Sequence, residues 1–218
     1  MAAVVNQICY NNLPSLEEAN ISHQALPADV ISGPIRDVFL KHGAHLTFCL
    51  YLQHRHHTLA ANEAVVKVEG TAHLMNDQAM NDIITFGNKV VPTTWMTSGS
   101  EMLPMEFTTA LALANTPAPA SEFVQEFLST LVNNKCENLF GIDTLAANSW
   151  SELKIGDASV VVPSSDKGTY DQEKFIPVAF AFDEEKPKFK VHGRCLKDHK
   201  HTSKPTPPPK PPKPDQPA

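Results

Sequence analysis

Apolar and polar positions alternate most clearly between His45 and His56, where the chain reads HLTFCLYLQHRH. Leu46, Phe48, Leu50 and Leu52 recur at every second position and share one face of an extended chain, and His54 and His56 continue that face. Cys49 falls on the opposite face, so the spacing keeps it away from the two histidines. After a turn-like HTLAANE stretch, Ala64–Met75 reads as a second strand, and the two strands are expected to pair as a hairpin with a medium loop. Upstream, Pro27-Ala28-Asp29 opens a predicted helix that runs to Lys41, with a break or restart at Gly33-Pro34 and Gly43 as its C-terminal cap.

Strands are predicted at 89–96 and 103–109, followed by a breaker, TPAPAS, at 116–121. Ser121 is expected to cap a helix over 122–133 with Phe123, Phe127, Leu128 and Leu131 on its apolar stripe. Short strand-like segments follow at 139–145, 159–162, 175–182 and 188–192, with a turn at Asp166-Lys167-Gly168. Strands outnumber helices and come in runs without regular alternation. That predicts an α+β fold built on a mainly antiparallel sheet, or a small barrel with a few helices. The expected organisation is an N-terminal extension over 1–24, a single α+β domain over 25–197, and a basic Pro/Lys-rich tail over 198–218.

Charge sharpens this division. The chain of 218 residues carries a formal charge of −6. That value is the sum of −13 over residues 1–185 and +7 over 186–218. An acidic body argues against a nucleic-acid-binding domain. The tail, KPTPPPKPPKPDQPA, holds no apolar residue larger than alanine and favours polyproline II. Two P-x-x-P-x-K segments, 205–210 and 208–213, match what an SH3-like partner docks on. No apolar run approaches the ~18 residues of a membrane helix, and the N-terminus lacks the basic and apolar regions of a secretory signal. Cys9, Cys49, Cys136 and Cys195 are widely spaced without a CxxC pair, which is expected of reduced thiols in a cytoplasmic protein.

The Walker lysine loop, the dinucleotide glycine loop, GxSxG and HExxH are missing, so histidine is the informative residue. His54, His56 and His57 fall within four positions. A His-x-His pair on a strand places two imidazoles on one face, with Cα atoms ~6.6–7 Å apart, and both can reach one divalent ion. A third ligand must come from a neighbouring strand or loop, and His73, on the partner strand, or Glu63 is in reach if the hairpin forms. Glu63 joins His54 and His56 as a candidate general acid or base. A second group, His192, Cys195, His199 and His201, contains a Cys-x3-His spacing that zinc accepts, but as a half-site before the tail it reads as a basic run.

HRHHTLAANEAVVKVEG resembles the first motif of the cupins, a His-x-His followed by a glutamate and a glycine. Glu63 and Gly70 keep the family's glutamate-to-glycine spacing. Six residues separate His56 from Glu63, more than that family has, and the glycine before the histidines and the second cupin motif are absent. The longer stretch LTFCLYLQHRHHTLAANEAVVKVEGTAHLM resembles a family of uncharacterised fungal proteins. These carry a leucine-rich strand, a Leu-His-Arg-His-like motif and a glutamate shortly before a Val/Lys-rich strand. Gln53 stands where that family has leucine. The resemblance implies an intracellular fungal protein and brings no mechanism. Together these readings predict a small-molecule enzyme or binding protein that uses the histidine cluster with a divalent metal. The alternative is a non-catalytic interaction module displaying its proline-rich tail.

Overall fold

Ten strands close on themselves in a computed structural model that describes residues 6–27, 29–85, 89–109, 117–155, 158–164 and 174–197. The strands are β1 (Phe48–Leu52), β2 (Glu63–Val68), β3 (Thr71–Asn76), β4 (Val91–Ser98) and β5 (Glu101–Thr108), then β6 (Phe140–Thr144), β7 (Trp150–Ile155), β8 (Ala158–Pro163), β9 (Phe175–Ala181) and β10 (Lys190–Leu196). Around the barrel their order is β1-β6-β4-β5-β2-β3-β8-β7-β10-β9. Two pairings, β2–β5 and β7–β10, are parallel and the others are antiparallel. The α+β reading with a mainly antiparallel small barrel fits this architecture. The Asp166 turn, His199, His201 and the proline-rich tail lie outside the described residues.

The predicted hairpin between 45–56 and 64–75 does not form. Glu69 and Gly70 both have positive φ, 49° and 81°, and make a two-residue turn that divides 64–75 into β2 and β3. β1 pairs instead with β6 over its whole length and with β9 at Leu50↔Phe180 and Tyr51↔Ala179. All five β1 residues are buried, because one face meets the barrel interior and the other meets helices. Leu46, placed on the strand by alternation, sits in a 3-10 turn over Ala44–Leu46 and is 74% exposed.

Helices pack on the outside. They are α1 (Gln7–Asn11), α2 (Leu16–Gln24), α3 (Arg36–Lys41), α4 (Asp77–Thr85) and α5 (Ser121–Asn133). A π-type turn at Ile31–Ile35, kinked at Gly33, leads into α3, as the Gly33-Pro34 break anticipates. α5 buries Phe123, Phe127 and Leu131 of its predicted stripe, but Leu128 is only half-buried and lines a surface groove, and the N-cap is Ala120 rather than Ser121. The Phe39 ring of α3 lies 5.1 Å from Phe123, 5.7 Å from Phe127 and 4.9 Å from Phe182. On another side, Met80 of α4 covers Ala64, Val66 and Phe107. No helix among the described residues is long and apolar enough to cross a membrane.

Within the segment 1–24, read from the sequence as an extension, Tyr10, Leu13, Leu16 and Ala19 are buried in the main apolar cluster. Ser15 and Glu18 form a reciprocal capping box that starts α2. With the outside of the barrel occupied by apolar packing, the inside is polar. Lys67 on β2 meets Glu106 on β5 at 2.7 Å and lies 5.9 Å from the ring centre of Trp150 on β7, two strands beyond its neighbour β3. Buried contacts between non-adjacent strands of a closed barrel pass through its interior.

Candidate metal centre

Strand β1 ends at Leu52, and the next residues cross the barrel mouth under tight control. The Gln53 amide is fully buried. Its nitrogen donates to the Asn138 carbonyl at 2.8 Å, and its oxygen accepts from the Thr97 backbone N–H. These bonds pin the strand end to β4 and to the connection into β6. On the other side, the Arg55 N–H donates to the Pro14 carbonyl at 3.0 Å and its guanidinium to the Asn11 carbonyl. Gln7 and Asn11 side chains both donate to the Leu59 carbonyl, at 2.8 and 2.9 Å, so α1 braces the crossing segment.

Ending the strand early changes where the histidines point. Strict alternation would leave His54 and His56 on the Leu50–Leu52 face. Instead the chain turns, and both imidazoles land on the Tyr51 side. The His54 ring stacks on Tyr51 at 5.4 Å and lies 4.6 Å from the His56 ring. His54 Nδ1 is 2.7 Å from the Leu52 carbonyl, which can only accept, so Nδ1 carries a proton and donates it there. His56 Nε2 is 3.4 Å from the Tyr51 hydroxyl, and its Nδ1 is 3.3 Å from Glu152 Oε1. The His56 backbone N–H donates to the Tyr10 hydroxyl at 3.4 Å.

The third member comes from the far end of the chain. Cys195 on β10 is in register with Glu152 on β7, and its sulfur is 3.8 Å from Glu152 Oε2. His54, His56 and Cys195 are all buried, and each offers one ligating atom within 4.8 Å of the others. The sequence reading placed Cys195 in a separate basic run with His192, which is buried on β10 but does not join this group. No spacing rule finds the group, because β9 intervenes between β1 and β10 and the residues are 139 or more positions apart.

The two other residues singled out from the sequence lie elsewhere. His73 is exposed on β3, opposite Val66. Glu63 opens β2 and accepts from the Ala60 N–H at 2.7 Å, closing the turn before the strand. Neither is brought to His54 and His56. A groove of about 550 Å³ lies between α5 and the β4–β5 turn, lined in part by Leu128, Val132 and Ser100, and no member of the cluster lines it. No family model matches the chain, nor does any curated protein or solved structure.

Electrostatics below the cluster are set by burial. Burial pushes the Glu152 carboxyl up to about 7, with Lys67 working against the rise and Glu106 with it. The Asp143 carboxyl, which accepts from Thr94 Oγ1 at 2.9 Å, is pushed up by burial to about 6. Burial also acts to lower Lys67, but Glu106, Asp143 and Glu152 outweigh it and hold the ammonium above its ordinary range. The Cys195 thiol is driven well up, first by burial and then by Glu152. A thiol so placed is protonated at neutral pH and is no free nucleophile, but a cation can displace its proton.

One glycine is needed for this packing. A Cβ on Gly193 would sit 2.4 Å from the Trp150 ring, so the ring lies directly over the β10 backbone two residues before Cys195. Gly193→Ala is expected to displace Trp150 and to cost about 1–3 kcal/mol of stability. A urea-unfolding midpoint equal to that of the parent chain would show the ring free to move aside.

Proposed function

We propose that the protein is a small-molecule enzyme or binding protein whose reactive centre is a divalent metal held by His54, His56 and Cys195. The observation that carries this reading is the convergence of their ligating atoms within 4.8 Å in the barrel interior. Two imidazole nitrogens and a thiolate suit a zinc-class ion better than the oxygen-seeking magnesium or calcium. A cation bound there has to displace the proton that burial holds on the Cys195 sulfur, so its uptake releases a proton and tightens as pH rises. The bound ion would act as a Lewis acid towards a polar group of the ligand.

The relay from the Tyr51 hydroxyl through His56 to Glu152 supports a second, metal-free reading, with His56 as general base oriented by Glu152. Metal analysis separates the two. The full chain, stripped with chelator and reloaded with zinc, is expected to retain zinc in equimolar amount through gel filtration. The His54→Ala/His56→Ala variant is expected to lose it. A parent chain that retains no zinc overturns the metal reading and leaves the relay.

A further inference from the structure

We infer that Glu152 is the fourth ligand, so that the ion is enclosed by two imidazoles, a thiolate and a carboxylate with no open position at rest. The inference rests on the metal reading of the same cluster.

Geometry is the first support. In a tetrahedral zinc site, bonds of ~2.0–2.1 Å to nitrogen and oxygen put those two atoms ~3.3 Å apart, and a ~2.3 Å bond to sulfur puts oxygen and sulfur ~3.6 Å apart. The Glu152 carboxylate spans these distances already, with 3.3 Å from Oε1 to His56 Nδ1 and 3.8 Å from Oε2 to Cys195 Sγ. Through its two oxygens the carboxylate comes near two of the three ligands, although Glu152 is not itself among the three residues whose ligating atoms lie within 4.8 Å of one another. The same contacts serve as an ion pair and a thiol hydrogen bond while the site holds no ion, so the carboxylate is already beside both groups.

The outer contacts give the second support. Metal-bound histidines hold their remaining ring N–H on an acceptor, which fixes the ring. His54 Nδ1 is held by the Leu52 carbonyl, which turns Nε2 towards the cluster. His56 Nε2 faces the Tyr51 hydroxyl, which turns Nδ1 towards Glu152. Each ring thus has one nitrogen assigned to an outer partner and one to the centre. Glu152 is itself fixed by the β7–β10 register that sets it beside Cys195.

Charge gives the third. A divalent ion with two neutral imidazoles and one thiolate keeps a net positive charge, and an uncompensated charge in a buried site is costly. A carboxylate in the coordination shell brings the centre to neutrality. Glu106 pairs with Lys67 at 2.7 Å and Asp143 accepts from Thr94 at 2.9 Å, whereas Glu152 is the carboxylate that stands beside both His56 and Cys195. A ligand that reacts at the ion must therefore first displace Glu152, which makes the carboxylate the gate of the centre.

The test measures zinc affinity of the full chain by competition with a chromogenic chelator. It compares the parent with Glu152→Gln and Asp143→Asn. Glu152→Gln is expected to weaken zinc at least tenfold, while Asp143→Asn stays within about twofold of the parent. Cobalt substitution supplies a readout in the parent protein, where azide is expected to leave the visible bands unchanged. In Glu152→Gln, azide is expected to enter the vacated position and shift them. Equal zinc affinity of the parent and Glu152→Gln overturns the fourth ligand while leaving three-residue binding intact, and so does an azide shift in the parent. No zinc binding by the parent overturns both readings together. Should Glu152→Gln fold poorly, the azide response of the parent still decides.

Discussion

Replacing Lys67 by methionine is expected to cost about 3–5 kcal/mol, the penalty of leaving a buried carboxylate without its counter-ion. Lys67 Nζ is the partner of Glu106 at 2.7 Å, and Glu106 is only 2% exposed. Asp143 and Glu152 lie in the same interior and act on the same ammonium. Without the lysine, the described residues leave Glu106, Asp143 and Glu152 in that interior with their main counter-charge removed. The double variant Lys67→Met/Glu106→Gln is expected to recover most of the loss, because the unpaired charge goes with its partner. Guanidinium unfolding of the three proteins checks this. A single-variant loss below about 1 kcal/mol would mean that water reaches Glu106 when the lysine is gone.

In the metal-free chain, stability is expected to fall as pH rises from about 4 to 7. Asp143 titrates near 6 when folded against an ordinary value of 3.8, so the folded state binds its proton more tightly than the unfolded state. Its contribution is complete below the ordinary value and is lost as pH rises through the folded one. At 1.36 kcal/mol per pH unit that amounts to roughly 3 kcal/mol. Glu152, raised from 4.5 to about 7, acts in the same direction over a slightly higher window. The exposed carboxylates Glu18, Glu126 and Asp183 are held below their ordinary values, so their contributions are lost as pH falls, but screening keeps these weak. Urea midpoints of the parent and Asp143→Asn, measured between pH 4.5 and 7.5 with chelator present, read the difference. The variant is expected to show a flatter profile and a higher midpoint at pH 7. Parallel profiles would remove Asp143 from the account.

Local patterns in the chain gave a partial picture, for physical reasons. α5 was legible because its apolar stripe faces a single neighbour layer, so periodicity and burial agree at Phe123, Phe127 and Leu131. β1 was legible as a strand but not in its extent, since all five of its residues are buried and alternation says nothing when both faces are covered. The interior charges were illegible for the opposite reason. Lys67, Glu106, Asp143 and Glu152 are charged residues in strands that carry other polar residues too, and nothing local marks them as interior. Alternation says that two faces differ, not which one is inside, and polar positions are read by default as solvent-facing. In a barrel clothed by helices that default inverts. His54 and His56 stood out as a pair, but the Gln53 anchor and the turn after Leu52 decide which way they face. Cys195 reaches them through strand order alone.

The closing seam also imposes a chronology on folding. β1 lies near the start of the chain, yet it completes its pairing only with β9, which begins at residue 175. Cys195 arrives later still, on the last strand. While the chain is being synthesised, one edge of β1 therefore waits through most of translation, and the long loop it must close makes that a late and slow event. Histidines and cysteine meet only once the barrel has shut. Were the three residues to hold an ion, it would be acquired only after β10 docks, and metal content would record which molecules had finished folding.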